Sequence, residues 1–257
     1  MQKSWLRSAF FMRFGMLNSK KVRYFIKHLL GSLFIGLSAL LVIYWLWYPA
    51  PLATATGANK LILMLIIVDI IIGPLLGFIV YKESKKSLKF DLACIIALQL
   101  TAFCYGIWHI ADGRPAWLVF NADRFELVRN NEVIHDGKVK PQYQSAAWTG
   151  PQFVAIQAAE NLQKKNDDLF LEMMSGVKLS QFNARYVALD QLNKQMKLSA
   201  QSIDKLKKYN NKQQAQHVLE PYKTAKYYLP LTMSQQDLSI LLDKNYKIIK
   251  IVNLKPW

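Results

Sequence analysis

The sequence predicts a membrane protein: three transmembrane α-helices followed by a small extracytoplasmic α+β domain. Three observations predict it. Hydrophobic residues make up 52% of the chain and crowd into its first half. Three apolar stretches there, residues 29–48, 61–81 and 92–110, each approach the ~20 residues that a helix needs to cross the hydrocarbon of a bilayer. The second half instead alternates short apolar runs with turn residues and helix-periodic segments, the pattern of a packed domain.

The first stretch carries no charge, the second only Asp69, and the third only a possible charge on His109. Core helices can be apolar all round, but three in succession at spanning length argue against that reading. Ala53-Thr54-Ala55 resembles a signal cleavage site. The run before it exceeds the ~7–15 apolar residues of a signal peptide, so it reads as a retained anchor. Met1, Met12 and Met16 are alternative starts, the last standing just before Lys20-Lys21-Val22-Arg23.

Charge sets the expected orientation. Residues 1–110 hold 12 Lys/Arg against 3 Asp/Glu, and residues 111–257 hold 21 against 14. Lys3, Arg7, Arg13, Lys20, Lys21, Arg23 and Lys27 precede the first span, and Lys82, Lys85, Lys86 and Lys89 separate the second from the third. The loop 49–60 has only Lys60. By the positive-inside rule the two basic segments are cytoplasmic. The expected domains are therefore a basic cytoplasmic N-terminus (1–28), a three-helix anchor (29–110) and a periplasmic α+β domain (111–257). Trp45, Trp47 and Tyr48 on the first span, and Trp108 and Trp117 near the third, stand where interfacial aromatics are expected. Cys94 and Cys104 are about 15 Å apart along one helix and cannot pair, so the second half must be held by its core alone.

Within the spans, Asp69, Gly73 and Gly77 follow at i, i+4 and i+8 on one helix face. Gly73-Pro74-Leu75-Leu76-Gly77 is a small-xxx-small pattern that lets helices approach, and Pro74 should kink the helix. An intramembrane carboxylate marks a partner site or a proton relay, or a protonated side chain bonded to a neighbouring helix. Thr101 lies at nearly its depth, and Gln99 about a turn deeper. Packing against Ser32, Gly36, Ala97 or Gly106 explains the same face, as does docking of a helix from another protein.

In the second half, residues 116–120 and 125–129 read as strands joined by Asn121-Ala122-Asp123. Residues 132–150 read as irregular. Pro151 opens an expected helix running to about Met174 and stopped by Gly176. Tyr186, Leu189, Leu192 and Met196 recur at helical spacing, and Ser199 would cap a further helix to Tyr209. Residues 227–231, 238–242 and 246–254 read as strands, the last two joined by Asp243-Lys244-Asn245. Lys194, Lys197, Lys205, Lys207, Lys208 and Lys212 form a basic run that suits a solvated face, anionic lipid or an acidic surface. No aromatic interleaving points to nucleic acid. No nucleophile elbow, phosphate-binding loop, zinc motif or Cys/His cluster is present. His135 beside Asp136 reads as a polar turn residue, and His217 near Glu220 as a residue on a helix surface.

A set of motifs now stands out: Trp47-Tyr48-Pro49-Ala50-Pro51-Leu52, Val68-Asp69-Ile70-Ile71-Ile72-Gly73-Pro74-Leu75-Leu76, Lys86-Ser87-Leu88-Lys89-Phe90-Asp91-Leu92, Arg114-Pro115-Ala116-Trp117-Leu118-Val119-Phe120, Asp123-Arg124-Phe125 and Leu254-Lys255-Pro256-Trp257. Their order and spacing resemble the TfpX/TfpZ family of type IV pilin accessory proteins, densely over residues 24–129 and again at the C-terminus. The resemblance implies an inner-membrane protein associated with pilin or other pilus-assembly proteins, without cofactor or established catalytic residues. Two groups of site residues follow: an intramembrane face of Asp69, Gly73, Pro74 and Gly77, and an external motif of Arg114, Pro115, Phe120, Asp123, Arg124 and Phe125. The expected function is a non-enzymatic accessory of pilus biogenesis or dynamics. A pilin-modifying membrane enzyme, and a sensor or small transporter, are the alternatives.

Overall fold

The computed structural model describes residues 19–257 except 158 and 160. The candidate start codons and Lys3, Arg7 and Arg13 lie outside the described residues. The chain forms two compact units: one comprises residues up to Val42 and Asn59–Ile110, the other Ile43–Ala58 and Ala111–Trp257.

Three helices, Lys20–Trp47, Ala58–Val80 and Leu88–Asp112, are long and apolar enough to cross a membrane. The first is α1 (Lys20–Val42) extended by a π-turn, Ile43–Trp47, in which the Tyr48 N–H reaches back five residues to the Ile43 carbonyl at 2.7 Å. After the short helix α2 (Leu52–Ala55), the second span runs through α3 (Ala58–Ile67), a second π-turn (Val68–Ile72) and α4 (Gly73–Val80). The third is α5 (Leu88–Asp112). Phe34, Leu41, Leu63, Met64, Phe90 and Leu98 are exposed, as suits helices solvated by hydrocarbon.

The second unit is built on a mixed eight-stranded sheet. Its strands are β1 (Pro115–Asn121), β2 (Arg124–Arg129), β3 (Gln152–Ile156), β4 (Tyr186–Val187), β5 (Gln201–Ser202), β6 (Tyr227–Thr232), β7 (Leu238–Leu242) and β8 (Ile248–Val252). They lie in the order β4-β3-β1-β2-β6-β7-β8, with β5 added beside β6. Strand β1 pairs antiparallel with β2 and parallel with β3, and β2 pairs parallel with β6.

The alternation of β1 explains the layering. Leu118 and Phe120 enter one core with Phe125, Leu229, Ile240 and Leu242, while Trp117 and Val119 enter another with Val128, Tyr143 and Tyr186. A strand covered on both faces reads as a continuous apolar run, as Ala116–Phe120 does. A third core, around Leu206, Ala215, Tyr228, Leu241 and Leu254, is roofed by α8 (Leu206–Tyr209) and α9 (Lys212–Leu219).

Several elements differ from the sequence reading. The helix expected from Pro151 begins only at Leu162: α6 spans Leu162–Ser175, capped where the Asn161 side chain accepts the Lys164 N–H at 2.8 Å. Gln152–Ile156 is a strand instead, because its apolar run pairs in register with β1. Gly176 does end the helix, in the left-handed region at φ 69°. The helix read through Tyr186–Met196 resolves into β4, a 3-10 turn (Leu189–Leu192) and α7 (Asn193–Ser199). The helix expected from Ser199 to Tyr209 becomes β5, a 3-10 turn and α8, and it is Ser202 that accepts the capping N–H, from Asp204. His217 lies exposed on helix α9, as its reading on a helix surface expects; the cap at Asn211 and the bounds of that helix were not marked in the sequence reading.

Residues 43–58, read as the end of a span and an external loop, belong to the sheet unit. Leu52 and Ala55, each 1% exposed, complete the core around Leu118 and Phe120. The Arg129 guanidinium donates to the Thr56 carbonyl at 3.0 Å, the Gln235 N–H to the Ala55 carbonyl at 3.3 Å, and the Gly150 N–H to the Leu46 carbonyl at 2.6 Å.

Candidate functional site

The polar residues of the spans converge on Gln99. The π-turn at Val68–Ile72 shifts the hydrogen-bond register, so the Gly73 N–H donates to the Val68 carbonyl, five residues back, rather than to Asp69. In that register the donor for the Asp69 carbonyl would be residue 74, which is proline and has no N–H. The vacant acceptor is filled from another helix: Gln99 Nε2 donates to the Asp69 carbonyl at 2.8 Å and to Ser32 Oγ at 3.0 Å. Gln99 Oε1 lies 2.9 Å from His28 Nε2. An amide oxygen only accepts, so Nε2 carries the imidazole proton and Nδ1 is left to accept from Tyr24 at 3.5 Å. One amide thereby links all three spans.

The glycines make room for this network. A Cβ on Gly73 would collide with the Gln99 amide, and one on Gly77 would come within 3.0 Å of the Tyr24 ring and 3.3 Å of His28 Nδ1. The face Asp69, Gly73, Pro74 and Gly77 is buried, and Gly73 and Gly77 point at side chains of the same chain. Thr101 bonds its own helix at Ala97. The interhelical hydrogen bond at Asp69 uses its carbonyl. Asp69 as a whole is 4% exposed, and neither carboxyl oxygen has a hydrogen-bond partner among the described residues.

The external motif lies in the other unit, where its residues contact others of the same unit. Arg114 is buried; it donates to the Ala111 carbonyl at 3.0 Å and to the Ala147 carbonyl at 3.4 Å, and stands over the Trp148 ring at 5.1 Å. Pro115 opens β1, and Phe120 packs on Phe125 with centroids 5.3 Å apart, both fully buried. Asp123 and Arg124 pair across the hairpin turn at 2.7 Å, which holds the Asp123 carboxyl below the usual carboxylate range. Arg124 also lies 5.4 Å from the ring of Trp257.

The C-terminal motif is pinned by hydrogen bonds. Tyr228 donates to the Pro256 carbonyl at 2.8 Å, Ser239 to the Leu254 carbonyl at 2.9 Å, and Asn210 brackets Lys255 through both its carbonyl and its N–H. Burial pushes the Tyr228 phenol up to about 12. The lysines of the 194–212 run are exposed, Lys207 pairing with Asp204 at 2.9 Å. His135, read as a polar turn residue, is exposed; its Nδ1 accepts from Asn183, which also donates to the Tyr143 carbonyl.

Two of the concavities in the sheet unit border residues of interest. One, of about 450 Å³, lies beneath α6 and is bordered by Asn121, Gln157, Lys165, Asp168, Arg185 and Gln195. Asp168 and Arg185 close it with a two-pronged pair, both contacts 2.6 Å. The other, about 270 Å³ and mainly apolar, lies among Pro49, Leu52, Leu118, Phe153 and Ile249. Among the described residues no group of three or more His, Cys, Asp or Glu is placed to hold a metal ion. Sequence reading missed Arg185, Asp168 and the linking role of Gln99; an uncharged amide in an otherwise apolar span was the available signal for the last.

The chain is similar to fimbrial assembly proteins of Dichelobacter nodosus. The serogroup E1 protein is 28% identical over 245 residues, 90% of this chain and 93% of that protein, and the serogroup I protein matches over the same shares at the same identity. The protein of serogroups C1 and C2 is 33% identical over 111 residues, 42% of this chain and 85% of its own length. No family model matches, and no solved structure matches.

Proposed function

The chain belongs to the family of fimbrial assembly proteins, and from that premise we propose that it is a non-enzymatic, multi-pass inner-membrane accessory of type IV pilus biogenesis that contacts pilin subunits. The observation that carries this reading is the likeness to fimbrial assembly proteins over 90% of the chain, on a molecule with three helices of spanning length. The narrower resemblance to the TfpX/TfpZ accessory proteins belongs to the same reading. So does the orientation: basic flanks at Lys20–Lys27 and Lys82–Lys89 on the cytoplasmic side, and the sheet unit in the periplasm.

Structural commitment of the motif residues favours an accessory over an enzyme. Arg114, Asp123 and Arg124 are engaged within the fold, as is Arg129 beyond the motif. Within the spans, Gly73 and Gly77 are spent on internal packing, which leaves the buried Asp69 carboxyl as the group of that face without a hydrogen-bond partner among the described residues, one that a pilin helix would reach by parting the spans. An unpaired carboxyl in hydrocarbon is costly, so a partner donor would gain a strong hydrogen bond there.

The test is co-purification. Tagged protein drawn from detergent-solubilised membranes should carry pilin, identified by mass, and Asp69→Leu should reduce the amount recovered. Recovery without pilin would remove the reading. Pilin itself should have the same mass with and without the gene; a mass difference would favour a modifying enzyme instead.

A further inference from the structure

Helix α6 is built inside out. Two of its three acidic side chains face the protein: Asp168 is buried against Arg185, and one turn later Glu172 accepts the Leu179 N–H at 2.8 Å. At about 100° per residue the opposite face points outward. There stand Leu162, Phe170, Met173 and Met174, which are 79%, 66%, 84% and 72% exposed, with Leu169 beside them at 49%. A helix of a globular domain normally has the reverse arrangement, and a contiguous exposed patch of this kind marks an interaction surface. The other residues of that face are Gln163 and Asn166, with Asp167 at its margin.

We infer that α6 is a self-association surface, on which a second copy of this chain lays its own α6 antiparallel across a twofold axis. The area is sufficient. Five side chains of about 200 Å² each, exposed to this degree, offer roughly 700 Å² per copy, close to the ~800 Å² per partner of a standard specific interface. The helix dipole selects the antiparallel direction, because it sets the positive N-terminal turn of each copy beside the negative C-terminal turn of the other. A twofold pairing of identical patches also closes on itself and stops at two copies. This inference does not depend on the chain's engagement with pilin.

The experiment is light scattering on the full chain purified in detergent, with the detergent mass subtracted. The wild type should contain two copies at micromolar concentration. The double variant Phe170→Glu/Met173→Glu should contain one, with thermal unfolding like that of the wild type because both positions are exposed. Leu162→Ser/Met174→Ser, a milder pair, should also shift the mass toward one copy. A wild type with a single copy overturns the inference. So does a dimer that neither pair dissociates, which would assign self-association to another surface, and so does a pair that lowers pilin or lipid recovery while copy number stays the same.

Discussion

Gly73 and Gln99 are a matched pair. The amide of Gln99 reaches the Asp69 carbonyl only because residue 73 has no side chain, and Asp69 needs that donor only because residue 74 is proline. Gly73→Ala should therefore expel the amide and leave acceptors on Asp69 and Ser32 unmatched. Interhelical hydrogen bonds in membranes are worth about 0.6–2 kcal/mol each. The variant should lose on the order of 2 kcal/mol, read as a lower midpoint of thermal unfolding in detergent. Gln99→Ala combined with Gly73→Ala should cost little more than either alone, because both remove the same contacts.

A second residue-scale prediction concerns Asp168. Pairing with the Arg185 guanidinium holds its carboxyl below the ordinary carboxylate range. A depressed carboxyl stabilises the fold above the unfolded-state value, about pH 4, and the contribution is lost as pH falls through the folded-state value. Asp168→Asn should thus destabilise the protein by about 2 kcal/mol at pH 7. The gap between wild type and variant should narrow below pH 4 in thermal melts followed by tryptophan fluorescence. A gap that stays constant across that range would show that the pair contributes nothing through charge.

At the scale of elements, what the sequence displayed and what it concealed divide along physical lines. The spans were legible because length and hydropathy alone set them, and the β1–β2 hairpin because Asn121-Ala122-Asp123 interrupts two apolar runs. The β7–β8 turn was legible through Asp243, whose carboxylate accepts the N–H groups of Asn245 and Lys247. Gly176 announced the end of α6 but nothing marked its beginning: a five-residue run such as Gln152–Ile156 fits strand or helix equally, and its pairing with β1 decides. The face of Asp69, Gly73 and Gly77 was visible from spacing. That Gln99 occupies it was not, since the π-register of Val68–Ile72 leaves no periodic trace. Helix α2 was hidden for another reason: Leu52 and Ala55 sit between two spans and pack on strands more than 60 residues later.

That last point defines a prediction for the whole molecule. The sheet unit is discontinuous, comprising Ile43–Ala58 as well as Ala111–Trp257. A soluble fragment of residues 111–257 should expose the apolar groove around Leu118 and Phe153, bind a hydrophobic dye and unfold without a sharp transition. The same fragment with residues 48–58 joined through a flexible linker should bind less dye and unfold cooperatively. Equal behaviour of the two fragments would show that the early segment adds nothing to the core. Of the external motif, Phe120 and Phe125 lie in the core that Leu52 and Ala55 of that segment complete.

The order of synthesis gives this arrangement a temporal side. Leu52 leaves the ribosome almost two hundred residues before β8, the last strand, and at ~5–20 residues per second the interval is on the order of ten to forty seconds. Throughout that time a sticky peptide flanked by two lipid-seeking helices has no finished partner. A nascent chain in which that segment is captured elsewhere would lack part of the core around Leu118 and Phe120.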